Sequence, residues 1–230
     1  MSIDIFGKAV NDFFEGNYSE DIINSTNITE EDILPVSYLF RTYNEMPKME
    51  QAALNMSRGK VLDIGCCAGS HSLYLQEKGF DVTGLDISKG AIEVCKKRGL
   101  KKVVNKSIYD FNEKSFDSLL LMMNGAGVCG YLENLPFLLQ HLKSILTEKG
   151  QILVDSSDIM YVYPKETLQE LNYYYGEVDF QLSYKNEEGE PFPWVYIDYD
   201  TLEKFALNSG FKSEKILDGD HHDYLARLYL

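Results

Sequence analysis

The sequence predicts an α/β domain built on a largely parallel sheet with helices on both faces. Three observations carry this. Five short runs rich in Val, Ile and Leu lie between residues 60 and 157: "KVLDIG", "FDVTGLDI", "KKVVNKS", "FDSLLLMMNG" and "GQILVDSS". Helical patterns over 71–78, 89–98 and 133–147 separate them, and strand–helix alternation is the mark of a parallel sheet with both faces covered. A glycine-bearing turn, "GCCAG", follows the first run, where such sheets approach ligands.

In chain order, residues 1–58 read as a polar helical cap. "DIFGKAVNDFFEG" places Ile5, Ala9, Val10, Phe13 and Phe14 at helical spacing and ends on Gly16. "PVSYLFRTYNEMPKMEQAALNM" reads as one or two further helices, broken near Pro47. Residues 59–155 form the core unit, in which Gly79, Gly99 and Gly150 follow the helical segments as terminating glycines. In 156–200 the period changes to two: Val178, Phe180, Leu182 and Tyr184 alternate with polar residues, "NEEGEP" supplies a turn, and "FPWVYIDY" follows. This reads as an antiparallel hairpin inserted over the active edge. Residues 201–230 add a helix, with Leu202, Phe205 and Ala206 inward, and two closing strands around "DGDHH".

The chain has 230 residues, 44% hydrophobic and 25% charged, enough for one good core. Thirty-six acids against 22 bases give a formal charge of -14, which repels phosphate backbones and anionic lipid surfaces. Nucleic acid and membrane partners are disfavoured, and "KKRGLKK" reads as a solvated helix end. No apolar run is long enough for a bilayer span, and the N-terminal stretch lacks the basic and apolar regions of a secretory leader. Four cysteines, two adjacent, do not form a secreted disulfide framework. The expected location is cytoplasmic, with reduced thiols.

The turn narrows the chemistry. A dinucleotide turn uses three glycines to cradle a pyrophosphate. Here Gly65 and Gly69 lack the third glycine, and Asp63 stands two residues before the first. A carboxylate there repels a pyrophosphate and suits a cationic ligand group. Cys66 and Cys67 lie between the glycines, and with no C-x-x-C spacing they read as small turn residues rather than a metal or redox pair.

"VLDIGCCAGSHSLYLQEKGFDVTGLDIS" resembles the opening of a class I S-adenosylmethionine-dependent methyltransferase. The resemblance implies a Rossmann-like fold: a seven-stranded mixed sheet with the last strand antiparallel, here with an N-terminal helical cap and a β-hairpin insert. It implies S-adenosyl-L-methionine as cofactor, with S-adenosyl-L-homocysteine as product. Asp63, Gly65, Cys67 and Gly69 would form the cofactor turn, Asp86 would accept from the ribose hydroxyls, and Ile87 would lie against the adenine. Ser107 falls where many members carry an adenine-facing Asp, so recognition would lean on the backbone around Ile108. Cys67 stands where the family has its middle glycine, and its Cβ is strained if the turn requires positive φ.

"MMNGAG" closes the fourth strand, and Asn124 would look into the cleft between cofactor and acceptor. No Pro follows it, unlike the Asn/Asp-Pro-Pro-aromatic motif of DNA amino-methyltransferases, which counts against a nucleic acid base as acceptor. Asn124, Asp155, His71 and His222 are the candidates for substrate positioning or proton removal. His71 also reads as a packing or capping residue, and His221 and His222 as a solvated hairpin on the ligand rim. Arg41 could pair a substrate carboxylate, though an internal ion pair is the plainer reading. The aromatics of "YYYGEVDF", Trp194 and Tyr196 could wall a pocket. Two covers over one edge imply a closed pocket and a small-molecule acceptor. A non-catalytic S-adenosylmethionine binder and, further off, a nicotinamide oxidoreductase are the rival readings. The acceptor and the oligomeric state are open at this level.

Overall fold

The structure, a computed structural model, describes residues 3–230; the first two residues of the stretch read as carrying no leader lie outside it. Helix α1 (Ile5–Glu15) is capped by Asp4 and ends on Gly16 in the left-handed region. Two short strands follow, β1 (Ile22–Thr26) and β2 (Asp32–Leu34), then 3-10 turns at Val36–Phe40 and Tyr43–Glu45, and helix α2 (Lys48–Met56). The segment read as wholly helical therefore contains a strand pair. Pro47 opens α2 rather than breaking it, as its fixed φ and missing N–H allow.

The core unit runs β3 (Lys60–Ile64), α3 (Ser70–Glu77), β4 (Asp81–Asp86), α4 (Lys89–Lys97), β5 (Val103–Asn105), β6 (Phe116–Leu121), α5 (Leu135–Ile145) and β7 (Leu146–Ser157). Gly79 and Gly99 take the left-handed conformation expected of them. Gly150 does not: α5 ends earlier, at Ile145, and Gly150 lies inside β7. After a short helix α6 (Lys165–Glu170) come β8 (Glu177–Tyr184), β9 (Glu187–Glu188) and β10 (Phe192–Val195). Helix α7 (Tyr199–Asn208), β11 (Lys212–Asp218) and β12 (Asp223–Tyr229) close the chain.

The main sheet has seven strands in the order β11-β12-β7-β6-β3-β4-β5. Only β12 runs antiparallel to its neighbours, as the sequence predicts. Alternate residues of its strands pack into two cores. Leu62, Leu119, Leu121, Ile152, Val154 and Ala226 meet α5 and α7. Val61, Val82, Leu120, Leu153 and Leu225 meet α2 and α3. Burial on both faces explains why these strands read as continuous apolar runs.

The hairpin of β8 and β10 is present, but it is not free-standing. β8 also pairs with β1, and β1 with β2, so insert and cap share one antiparallel sheet. Helix α1 fills the space beneath it: Ile5, Ala9 and Val10 pack with Ile22, Leu182 and Tyr184, and with Ala91 and Val94 of α4. No helix among the described residues is long and apolar enough to cross a membrane.

Candidate active site

The turn after β3 is built from left-handed residues. Gly65 has φ +76°, Cys67 +44° and Gly69 +83°. Gly65 and Cys66 donate to the carbonyl of Leu85 at 2.8 and 3.1 Å, tying the turn to the end of β4. A Cβ added at Gly65 would meet nothing within 4 Å, so this backbone borders open space. The strain expected at Cys67 is present. Its amide donates to Asp86 Oδ2 at 2.8 Å, while Asp86 Oδ1 accepts from the Ser88 amide at 2.8 Å. Asp86 is thus fixed at the turn, its carboxyl pushed above the usual range by burial. Ile87 beside it is 75% exposed, an apolar side chain with no cover from the protein. Ser107 uses its hydroxyl to accept from the Tyr109 amide, and Ile108 is buried below.

The Cys66 and Cys95 thiols lie 4.0 Å apart and both are buried. The hydrogen bond with Cys95, then burial and the Cys95 charge, push the Cys66 thiol well up, so the pair is packing rather than a reactive site.

A charged cluster stands behind the turn. Asp63 is 2% exposed and accepts from the Ser72 hydroxyl at 2.5 Å; burial raises its carboxyl. His71, buried at the start of α3, contacts Glu50 Oε2 at 2.5 Å. Glu50 pairs with Arg41, whose guanidinium also donates to the Tyr38 carbonyl and lies 3.8 Å from the Tyr38 ring centroid. Burial opposes charge on Glu50, but the hydrogen bond from His71 and the two cations hold it below its ordinary value. Burial likewise opposes protonation of His71, yet Glu50 and Asp63 leave it raised. Arg41 therefore forms the internal ion pair, and the His71 ring is held against Glu50.

Glu50 is the participant that sequence reasoning missed. A signal existed: it falls on the buried stripe of α2, with Ala53 and Leu54 three and four residues on, and an acid there demands a partner.

The remaining candidates converge at the ends of β6 and β7. Met123 and Asn124 are both left-handed, at φ +60° and +57°. The Asn124 amide donates to Asp155 Oδ1 at 3.3 Å, and its side-chain oxygen accepts from Ser157 at 3.4 Å. Asp155 is pushed up to about 7, chiefly by burial and then by the Glu50 charge. His222 does not join this group. It is exposed and stacks on Tyr161 with ring centroids 4.9 Å apart. It lines a separate hollow of about 460 Å³ with Asp158, Asp198 and Asp220. β11 does run parallel to β7, so the rim position is as expected, but β12 separates the two strands. The aromatics divide: Trp194 reaches Asn124, whereas Tyr174 and Tyr175 bond to Asp198 at 2.7 and 3.2 Å.

Residues 55–205 match the family model described as a methyltransferase domain. The chain belongs to that family. A SAM-dependent methyltransferase from Bacteroides fragilis, solved in complex with S-adenosyl-L-homocysteine, is 41% identical to it. Their TM-score is 0.92, over 99% of this chain and 94% of that one. The probable S-adenosyl-L-methionine-dependent methyltransferase TehB of Haemophilus influenzae is 29% identical over 150 residues, 60% of this chain and 52% of TehB. The sugar N-methyltransferase KedS8 from Streptoalloteichus sp. shares the fold, at 13% identity and TM-score 0.57, over 89% of this chain and 96% of that one. This methyltransferase uses S-adenosylmethionine as its cofactor. The open space at Gly65, the fixed Asp86 carboxylate and the uncovered Ile87 fit that group.

Proposed function

We propose that the methyltransferase acts on a small-molecule amine and that Asp155 takes the proton which the acceptor loses. In this reading the Gly65–Gly69 turn, Asp63, Asp86, Ile87 and Ile108 hold the cofactor. S-adenosylmethionine supplies a methyl group already activated by its sulfonium charge. The chain's own tasks are to align the acceptor, exclude water and receive a proton.

Asp155 carries the proposal. It is a partly buried carboxyl at the C-terminal edge of the sheet, held near neutrality at about 7 by burial. A base works best when its pKa lies near the working pH. An alkylammonium, at about 10 as in lysine, is within reach of such a group, whereas an aliphatic alcohol holds its proton far more tightly. The net charge of -14 draws cations towards the molecule. A small acceptor is supported by two covers meeting at this edge: Tyr38, Arg41 and Glu50 from one side and Trp194 from the other.

The test is S-adenosylhomocysteine release across a panel of small amines, alcohols, thiols and carboxylates. Turnover should be confined to amines. Asp155→Asn should lower kcat/KM by about 100-fold and leave S-adenosylhomocysteine affinity unchanged. Turnover on alcohols or thiols alone would overturn the amine, and wild-type kinetics in Asp155→Asn would overturn the proton acceptor.

A further inference from the structure

We propose that Trp194 is a positioning residue for methyl transfer, acting through the Asn124 main chain to hold Asp155 in place. The proposal rests on the reading of Asp155 given above. Trp194 lies on β10, in register with Val178 of β8, outside the main sheet. Its indole Nε1 donates to the Asn124 carbonyl at 3.1 Å. That carbonyl also accepts from the Gly127 amide at 2.9 Å. One peptide unit back, the Asn124 amide donates to Asp155 Oδ1 at 3.3 Å. The path from insert to carboxylate is therefore three groups long: indole N–H, Asn124 backbone, Asp155.

The loop needs such a clamp. Two consecutive non-glycine residues, Met123 and Asn124, sit in the left-handed region, which costs about 1 kcal/mol or more for each. Such a pair persists only where surrounding contacts hold it. The indole is seated against the same loop. A Cβ added at Gly127 would fall 2.0 Å from Trp194 Nε1, and one at Gly130 would fall 3.2 Å from Pro193 Cγ. Gly127 does not have positive φ, so its lack of a side chain serves the indole and not the backbone. β10 thus docks on the loop through two matched gaps, and the hydrogen bond to Asn124 is its polar centre.

The hydrogen bond from Asn124 lowers the Asp155 carboxyl against burial and the Glu50 charge. His71, also facing it, lowers it further, while the phenols of Tyr38 and Tyr224 feel its charge. Releasing the Asn124 loop therefore moves the carboxyl upward. The direction separates positioning from mere packing, because a loosening that only admitted water would relieve the burial and move the carboxyl down.

Two variants approach the contact from opposite sides. Trp194→Phe keeps a ring and removes the donor. Gly127→Ala keeps the indole and displaces it. Both should lower kcat about ten-fold with the calorimetric Kd for S-adenosylhomocysteine unchanged within about two-fold. In both, the carbon-13 carboxyl titration of Asp155 should move up by about half a unit or more. Trp194 is the sole tryptophan, so Gly127→Ala should also shift the emission maximum to the red. Wild-type kcat in Trp194→Phe would overturn the proposal. So would a Kd that rises in step with the loss of kcat, or an unmoved Asp155 titration. If Asp155→Asn is fully active while the titration still moves in Trp194→Phe, the proton-acceptor reading fails and the clamp stands.

Discussion

Cys67 occupies the position where the cofactor turn asks most of its backbone. At φ +44° it is left-handed without being glycine, a cost of about 1–2 kcal/mol. Its side chain is partly buried against the cluster that contains Ile5, Ala9 and Val10, which offsets part of that cost. Cys67→Gly should therefore leave stability within about 1 kcal/mol of wild type and bind S-adenosylhomocysteine equally well. Cys67→Val should lose about 2 kcal/mol or more, since a branched Cβ tolerates this region least. Thermal unfolding and calorimetry read both outcomes, and a well-tolerated valine would remove the strain account. Asp86 gives a second test. Its two oxygens already organise the Cys67 and Ser88 amides, so Asp86→Ala removes a ligand group and loosens the turn together. S-adenosylhomocysteine affinity should fall by about ten-fold or more. The turn at Gly65 and Gly69 was legible because its chemistry is local: backbone freedom at a strand end, which both glycines use. Glu50 was not, because its meaning depends on Arg41 and His71, nine and 21 residues away.

Among the elements, the seven strands of the main sheet were legible and β1 and β2 were not. The main strands announce themselves by continuous apolar runs, because both faces are buried. β1 buries only Ile22, and β2 has no fully buried residue. β1 is held by β8, 160 residues away in the chain by register (Ile23 with Ser183), and β2 by β1, and no local pattern encodes such a partner. Helix α1 was legible as a helix, but its docking was not. Asp4 accepts from the Gly7 and Gly90 amides and from the Ser88 hydroxyl, so one carboxylate caps α1 and joins it to the start of α4. A Cβ at Gly90 would fall 2.6 Å from Gly7 Cα, which places backbone against backbone. Alanine usually strengthens a helix by about 1 kcal/mol over glycine. Gly90→Ala should reverse that sign, destabilise the protein, and open residues 4–20 to early proteolysis. Asp4→Ala should cost about 1–2 kcal/mol and produce the same cleavage pattern more weakly. A stabilised Gly90→Ala would mean that α1 is not seated on α4 in solution.

Across the whole molecule, the acidic composition and the site meet in one carboxyl. Asp155 lies partly buried at the edge of the main sheet, and burial holds it up at about 7 against an unfolded value of about 3.9. Function and stability then pull in opposite directions. As a proton acceptor Asp155 must be ionised, so kcat/KM should rise with pH through about 7 and lose that limb in Asp155→Asn. For folding the sign is reversed. Between the unfolded and folded values the native state holds a proton that the unfolded chain has released, so stability falls as pH rises through this interval and levels off above it. Glu50 works the other way, since its lowered carboxyl contributes stability above its ordinary value that is lost in acid. The comparison must therefore be between wild type and Asp155→Asn at each pH, where the common groups cancel. Asp155→Asn should match wild type near pH 4 and exceed it by a few kcal/mol at pH 8, on the order of the shift at about 1.4 kcal/mol per unit. The variant keeps an acceptor for the Asn124 amide and brings an NH2 in place of the second oxygen, an offset that does not change with pH and so leaves the trend of the difference intact. Paired thermal unfolding curves across that range decide it. A growing advantage for the variant would show that folding lifts the Asp155 carboxyl, as the base assignment requires. A constant difference would mean that Asp155 is ordinary in the folded state, and the base assignment would fall with it.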